Sequence, residues 1–209
     1  MASELERPPS SSRRWIWTGL VLLLAGVFLA GVAWVRAQPA GETGTSVSPG
    51  ALGEVPDFHL GSEDGRPFSR ADLAGEPWVA GFIFTRCTTF CPKITARMLP
   101  LQGQVRLVSF TVDPEGDTPE ILSQYAAAHG ARAPGWRFLT GRREDLYRLI
   151  SEGFKLSVAP NPDPSKGGDL ITHSDRLILV DGSFRIRGTY SSSAPEAMER
   201  LRAALKALK

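Results

Sequence analysis

Seven uncharged residues in a row, Trp78 to Phe84 (WVAGFIF), narrow the folds open to this chain more than any other stretch. A short continuous apolar run bounded by turn signals predicts a strand buried at the centre of a sheet. The strand delivers the chain to its only two cysteines, Cys87 and Cys91, in FIFTRCTTFCP. A bridge across so small a window would staple almost nothing, so the pair is there for chemistry. Two soft sulfur ligands this close can bind a thiophilic metal, close a small disulfide or attack another protein's thiols.

The elements around that strand predict the rest of the sheet. Asp57 to Leu60 and Arg66 to Phe68 flank Asp64-Gly65, a hairpin signal, so the domain opens with a two-stranded ribbon. Pro92 suits a first helical turn, which makes Cys91 to about Met98 a helix stopped by Pro100. Cys91 then sits at a helix N-terminus, where the macrodipole favours an anionic thiolate. Arg106 to Val112 reads as a second buried strand. Asp117 or Thr118 caps a helix that has Pro119 in its first turn and runs to His129-Gly130.

Phe138 and Leu139 predict a short strand, Arg143 to Glu152 a helix ended by Gly153, and SVAPNPDPSKGGD a long loop. Leu177 to Val180, the turn at Asp181-Gly182 and Phe184 to Tyr190 form a hairpin, and Pro195 opens a last amphipathic helix to Leu208. That order predicts an α/β sandwich with parallel and antiparallel strands.

Upstream, Trp15 to Val35 is uncharged over roughly the twenty residues that a helix needs to span a bilayer. Trp15, Trp17 and Trp34 are placed as interfacial anchors. Arg7, Arg13 and Arg14 precede the run and Arg36 follows it, so the positive-inside rule keeps the N-terminal side in the cytoplasm. We therefore expect a cytoplasmic tail over 1–14, one uncleaved transmembrane helix over 15–35 and a flexible linker over 36–52. A cleavable signal peptide, the competing reading, would have an apolar core of only about 7–15 residues. Glu4 and Glu6 argue against an organellar transit peptide, which leaves a bacterial inner membrane with residues 53–209 in the periplasm. The net charge of +2 is spread among interspersed acids and bases, which excludes a nucleic-acid footprint.

The chain has three histidines as candidates for a third ligand. His59 lies in the opening ribbon and His129 ends a helix, both structural or solvated positions. His173 closes the long loop just before a strand, where neighbouring strand ends meet near Cys87. Two thiolates and one imidazole suit Cu(I), or Cu(II) with an added ligand, whereas structural zinc wants four ligands.

FIFTRCTTFCP, VSFTVDPEGDTPE and ITHSDRLILVDGSFRIRGTY, in this order behind an N-terminal anchor, resemble the SCO/SenC family of copper chaperones for cytochrome c oxidase. The likeness covers about residues 53–209. It implies a thioredoxin-like fold, a three-layer sandwich with a central mixed sheet and helices on both faces. It also implies a metallochaperone that binds copper through Cys87, Cys91 and His173. Such a protein loads the CuA site of oxidase subunit II, or another copper-accepting protein, or keeps that site's thiols reduced.

Asp113 matches an acidic family position near the site, with a role in partner contact or in the turn before Pro114. The alternative is a thiol-disulfide oxidoreductase with Cys87 and Cys91 as its catalytic pair. The chain departs from many members at Arg86, where they have His, and at Thr88-Thr89-Phe90, where they have Pro-Asp-Val. Arg86 predicts added positive charge beside the thiols, favouring thiolates and thiol exchange.

Overall fold

The computed structural model describes Trp17 and residues 20–31, 52–160 and 171–208, the side chains of Pro160, Thr172 and His173 excepted. It divides into two compact units, Met1–Thr45 and Ser46–Lys209. In the first, Trp17 and residues 20–31 are helical and exposed, with apolar side chains from Leu20 to Leu24 and from Val27 to Leu29. Among the described residues no helix is long and apolar enough to cross a membrane. The tail over 1–14, both ends of the expected span and nearly all of the linker lie outside the described residues.

The second unit is built on a seven-stranded mixed sheet of order β2-β1-β5-β4-β3-β8-β9. Its strands are β1 (His59–Ser62), β2 (Pro67–Ser69), β3 (Trp78–Ile83), β4 (Arg106–Thr111), β5 (Trp136–Thr140), β8 (Arg176–Val180) and β9 (Ile186–Ser191). As its unbroken apolar run predicts, β3 is buried at every residue, parallel to β4 on one side and antiparallel to β8 on the other. β4 pairs parallel with β5, so the chain steps twice in the same direction along the sheet. The intervening helices are α1 (Cys91–Met98) and α2 (Pro119–Ala128). Right-handed crossovers put both on one face.

Alternating side chains of β3 serve both faces. On one, Gly81 leaves room for the Met98 sulfur of α1. On the other, Phe82 stacks on Phe110 at 5.8 Å and meets Phe154 edge-on at 5.1 Å. Phe154 follows α3 (Arg143–Arg148) and the π-helical turn Leu149–Gly153 that extends it, so this face is covered too. The last helix, α4 (Pro195–Ala207), buries Ala197, Met198, Leu201 and Leu205 and packs against β9.

Three expectations change. The stretch read as a long loop contains a strand, β6 (Val158–Pro160), which pairs antiparallel with β7 (Ile171–His173) just after it to make a second small sheet. Its strands are too short for alternation to register, and β6 ends in proline. β5 begins at Trp136 rather than Phe138, and the Trp136 indole N–H donates to Ser109 Oγ at 3.0 Å. β9 begins at Ile186 rather than Phe184, because Phe184 takes a left-handed φ of 65° in the turn.

Candidate metal centre at the strand ends

Parallel strands β3, β4 and β5 release their chains at one edge of the sheet, and the candidate residues gather there. From Phe84 the chain turns back, with the Cys87 N–H donating to the Phe84 carbonyl at 3.2 Å. Helix α1 starts four residues later. Its N-cap, Phe90, makes no side-chain capping bond. Instead the N–H of Cys91, the first helical residue, donates to Cys87 Sγ at 3.2 Å. The Cys87 sulfur thereby satisfies one of the helix-start N–H groups that have no partner inside the helix.

Cys91 Sγ in turn accepts the Phe84 N–H at 3.4 Å. Cys87 and Cys91 are 3% and 0% exposed, while Thr88, Thr89 and Phe90 between them are exposed. Two sulfurs that each accept a backbone N–H are arranged to carry the negative charge of metal-bound thiolates.

Behind Cys91, the Thr95 hydroxyl donates to the Cys91 carbonyl at 3.0 Å and lies 2.9 Å from the Tyr125 hydroxyl, which therefore donates to it. Burial pushes the Tyr125 phenol up to about 12; the Thr95 bond opposes this and the negative charge of Cys91, Cys87 and Asp117 adds to it. His129 stacks on Tyr125 at 4.0 Å and its ring Nδ1 lies 2.9 Å from the Tyr125 carbonyl, a structural role as expected. His59 is the exposed first residue of β1.

Two carboxylates in the turn after β4 face inward. Asp113 has 4% of its side chain exposed and accepts from the Arg86 guanidinium, with Nη2 at 2.6 Å and Nε at 3.1 Å. Gly116 is required here, since a Cβ would run into the Asp113 carboxylate and the Arg86 fork. Asp117 is fully buried and accepts from the Thr85 N–H at 3.2 Å and from the hydroxyls of Thr85 and Thr111, both at 2.5 Å. Burial raises the Asp117 carboxyl above the ordinary carboxylate range, against those hydrogen bonds, and the neighbouring Asp113 charge adds to the rise.

The helix cap falls to Thr118, whose hydroxyl accepts the Ile121 N–H. Asp117 instead ties the end of β3 to the end of β4, a role that spacing does not signal. The expectation for Arg86 is likewise corrected. Its charge is matched by Asp113, 27 residues away, rather than added to the thiols. Asp113 also accepts the Gly116 and Asp117 N–H groups at its carbonyl, the turn function expected of it.

His173 closes β7, three residues before β8. Because β8 runs antiparallel to β3 with Ile178 opposite Ala80, the backbone at His173 lies toward the edge where β3 hands over to Cys87. The His173 side chain is outside the described residues, and among those described no group of three His, Cys, Asp or Glu forms a metal cluster.

Residues 48–208 match the SCO1/SenC family model. The chain belongs to the SCO1/SenC family. This SCO1/SenC chain is 35% identical over 146 residues to the SCO1 protein homolog of Bacillus subtilis, covering 66% of itself and 74% of that protein. It is also similar to the solved structure of BsSco, a member of the Sco family of cytochrome c oxidase assembly proteins in which a disulfide switch was identified. There the TM-score is 0.66 at 30% identity, over 78% of this chain and 98% of that one. ScoI of Bradyrhizobium japonicum, solved with copper bound, shares the fold with a TM-score of 0.56 at 21% identity, over 75% of this chain and 100% of that one.

Proposed function

We propose that this SCO1/SenC protein is a membrane-tethered copper metallochaperone, with Cys87, Cys91 and His173 as ligands and copper as its cargo. Its acceptor on this reading is the CuA site of cytochrome c oxidase subunit II. The observation that carries the reading is the pair of sulfurs four residues apart at the start of α1, each accepting a backbone N–H. Soft, pre-positioned thiolates fit Cu(I), and an imidazole brought in by β7 completes a low-coordinate set. BsSco's place among oxidase assembly proteins and the copper bound to ScoI support the same assignment.

The helix around residues 20–31 is apolar on every side, as a helix surrounded by lipid is, and this supports a periplasmic domain tethered to an inner membrane. Asp113 then contributes to partner contact indirectly, by holding Arg86, whose side chain is 57% exposed.

A Cu(I) competition titration of the reduced chain in detergent tests this. The expected result is near-stoichiometric Cu(I), with affinity reduced about 100-fold or more, roughly 2.7 kcal/mol, in Cys87→Ser. Unchanged affinity in Cys87→Ser would remove the proposal.

A second reading is favoured by the placing of two buried cysteines at one helix start and by the disulfide switch of BsSco. On that reading Cys87 and Cys91 are oxidised to one disulfide while a partner's disulfide is reduced to two thiols. The two activities are compatible, since copper is loaded only onto reduced acceptor cysteines.

A further inference from the structure

We propose that Phe90 anchors a docking surface for an acidic acceptor protein, one that offers an apolar recess bordered by carboxylates beside its own copper-accepting ligands. This rests on the metallochaperone reading and adds to it the chemistry by which the partner is recognised. Cys87 and Cys91 are 3% and 0% exposed, so an acceptor that takes their cargo meets the exposed three-residue turn between them. Within that turn Phe90 is 52% exposed, more than the other exposed large apolar side chains described in this unit, Leu99 at 39% and Ile121 at 38%.

A single exposed apolar residue is ordinary on a protein surface. Phe90 differs because it occupies a helix N-cap, where a serine, threonine or aspartate would stabilise the helix and phenylalanine does not. The Cys87 sulfur satisfies one N–H of this helix start, and the Phe90 ring, free of any capping bond, is exposed to face a partner.

The stretch around it lacks acids, and with Arg86 paired to Asp113, Lys93 is the cation placed beside the ring. From Phe84 to Leu101 the chain carries Arg86, Lys93 and Arg97 and no Asp or Glu. The Lys93 ammonium sits 5.7 Å from the Phe90 ring centroid, which presents a cation beside the apolar knob. The nearby carboxylates of Asp113 and Asp117 are buried, and exposed Glu115 is engaged by Arg143 at 2.7 Å. An aromatic anchor with a cation beside it fits an apolar recess bordered by carboxylates, with the ring supplying residence time and the charge supplying encounter rate.

The test compares two routes of Cu(I) transfer from the full chain in nanodiscs, followed by stopped flow. One acceptor is a small neutral bidentate chelator and the other is the apo soluble CuA domain of the host's own oxidase subunit II. Phe90→Ser is expected to slow transfer to the CuA domain at least tenfold and leave transfer to the chelator unchanged. Lys93→Glu should slow only the protein route and flatten its salt dependence.

The proposal is overturned if Phe90→Ser transfers to the CuA domain at the native rate, or if it slows both routes equally. It is also overturned if the variant loses only affinity for vesicles containing anionic lipid. If the native chain takes up no Cu(I), the metallochaperone reading falls and docking is scored separately, by calorimetry of the copper-free dithiol chain with the same domain. Tenfold weaker binding by Phe90→Ser then supports the surface, while equal binding, or none by the native chain, overturns it.

Discussion

Strands β3 and β4 run through two different interiors. Over their middle, Trp78, Phe82 and Phe110 pack with Phe58 and Phe154 at ring separations of 5.1 to 6.4 Å, and dispersion and the hydrophobic effect hold them. At their ends, Thr85, Thr111, Asp113 and Asp117 are tied together by hydrogen bonds beneath the cysteine turn. The first region is non-directional, so its loss scales with the volume removed. The second depends on every donor finding its acceptor, so its loss is registered first in geometry. Overall stability and the shape of the site are therefore separable, and mutations should sort by region.

The largest effect is expected from Phe110→Ala. Its ring touches Phe58, Phe82 and Phe154 and is fully buried, so truncation should cost about 3–5 kcal/mol and lower the melting temperature by roughly 6–20 °C. Thermal melting in detergent measures this. Below the transition, Cu(I) stoichiometry should match the native chain. A loss of metal binding in the folded variant would show that the two interiors are one.

Asp117 probes the other region. Alanine would leave the Thr85 N–H and two hydroxyls without their acceptor, a cost of about 2–3 kcal/mol; asparagine keeps an acceptor without a buried charge and should stay within about 1 kcal/mol of native. The pH response gives a sharper reading. The folded-state carboxyl is raised above its ordinary value of 3.8, so the native state holds that proton more tightly than the unfolded chain does. The stabilisation is complete below 3.8 and is lost as pH rises through the folded value. Melting temperature should fall with rising pH over that window in the native chain, relative to Asp117→Asn. Parallel curves would mean that burial of this carboxyl carries no such linkage.

The two interiors were not equally legible from sequence. The aromatic one was, because WVAGFIF is a continuous apolar run and RLVSFTV is rich in β-branched and aromatic residues, and Pro92, Pro119 and Pro195 mark helix starts by a local steric rule. Cys87 and Cys91 could be singled out by spacing alone. The polar knot could not. The pairing of Arg86 with Asp113 spans 27 residues and that of Thr85 with Asp117 spans 32, and only strand order brings such positions together. Asp117 also sits beside a true cap, Thr118, so its local signal pointed to the helix when its carboxylate turns toward the strands. The capping of α1 by a sulfur was hidden for a related reason, since no propensity scale counts cysteine as a cap at four residues' distance.

Tyr125 belongs to both regions and is expected to give the smallest effect. Its ring meets Phe138 edge-on at 6.0 Å, while its hydroxyl donates to Thr95, whose own proton goes to the Cys91 carbonyl. Tyr125→Phe keeps the ring and the Thr95 bond to Cys91 and removes one hydrogen bond, for about 0.5–1.5 kcal/mol. The raised phenol sets the sign at alkaline pH. The folded state keeps the proton up to about 12, against an ordinary 10.0, so its stabilisation is present below 10.0 and lost as pH rises toward 12. The native chain should therefore lose stability over that interval relative to the phenylalanine variant, and spectrophotometric titration should show the slowest-ionising phenol gone. If Cu(I) affinity moves less than tenfold, Tyr125 serves the fold through its ring. A larger drop would mean that the chain from Tyr125 through Thr95 to the Cys91 carbonyl sets the seat of the sulfur itself.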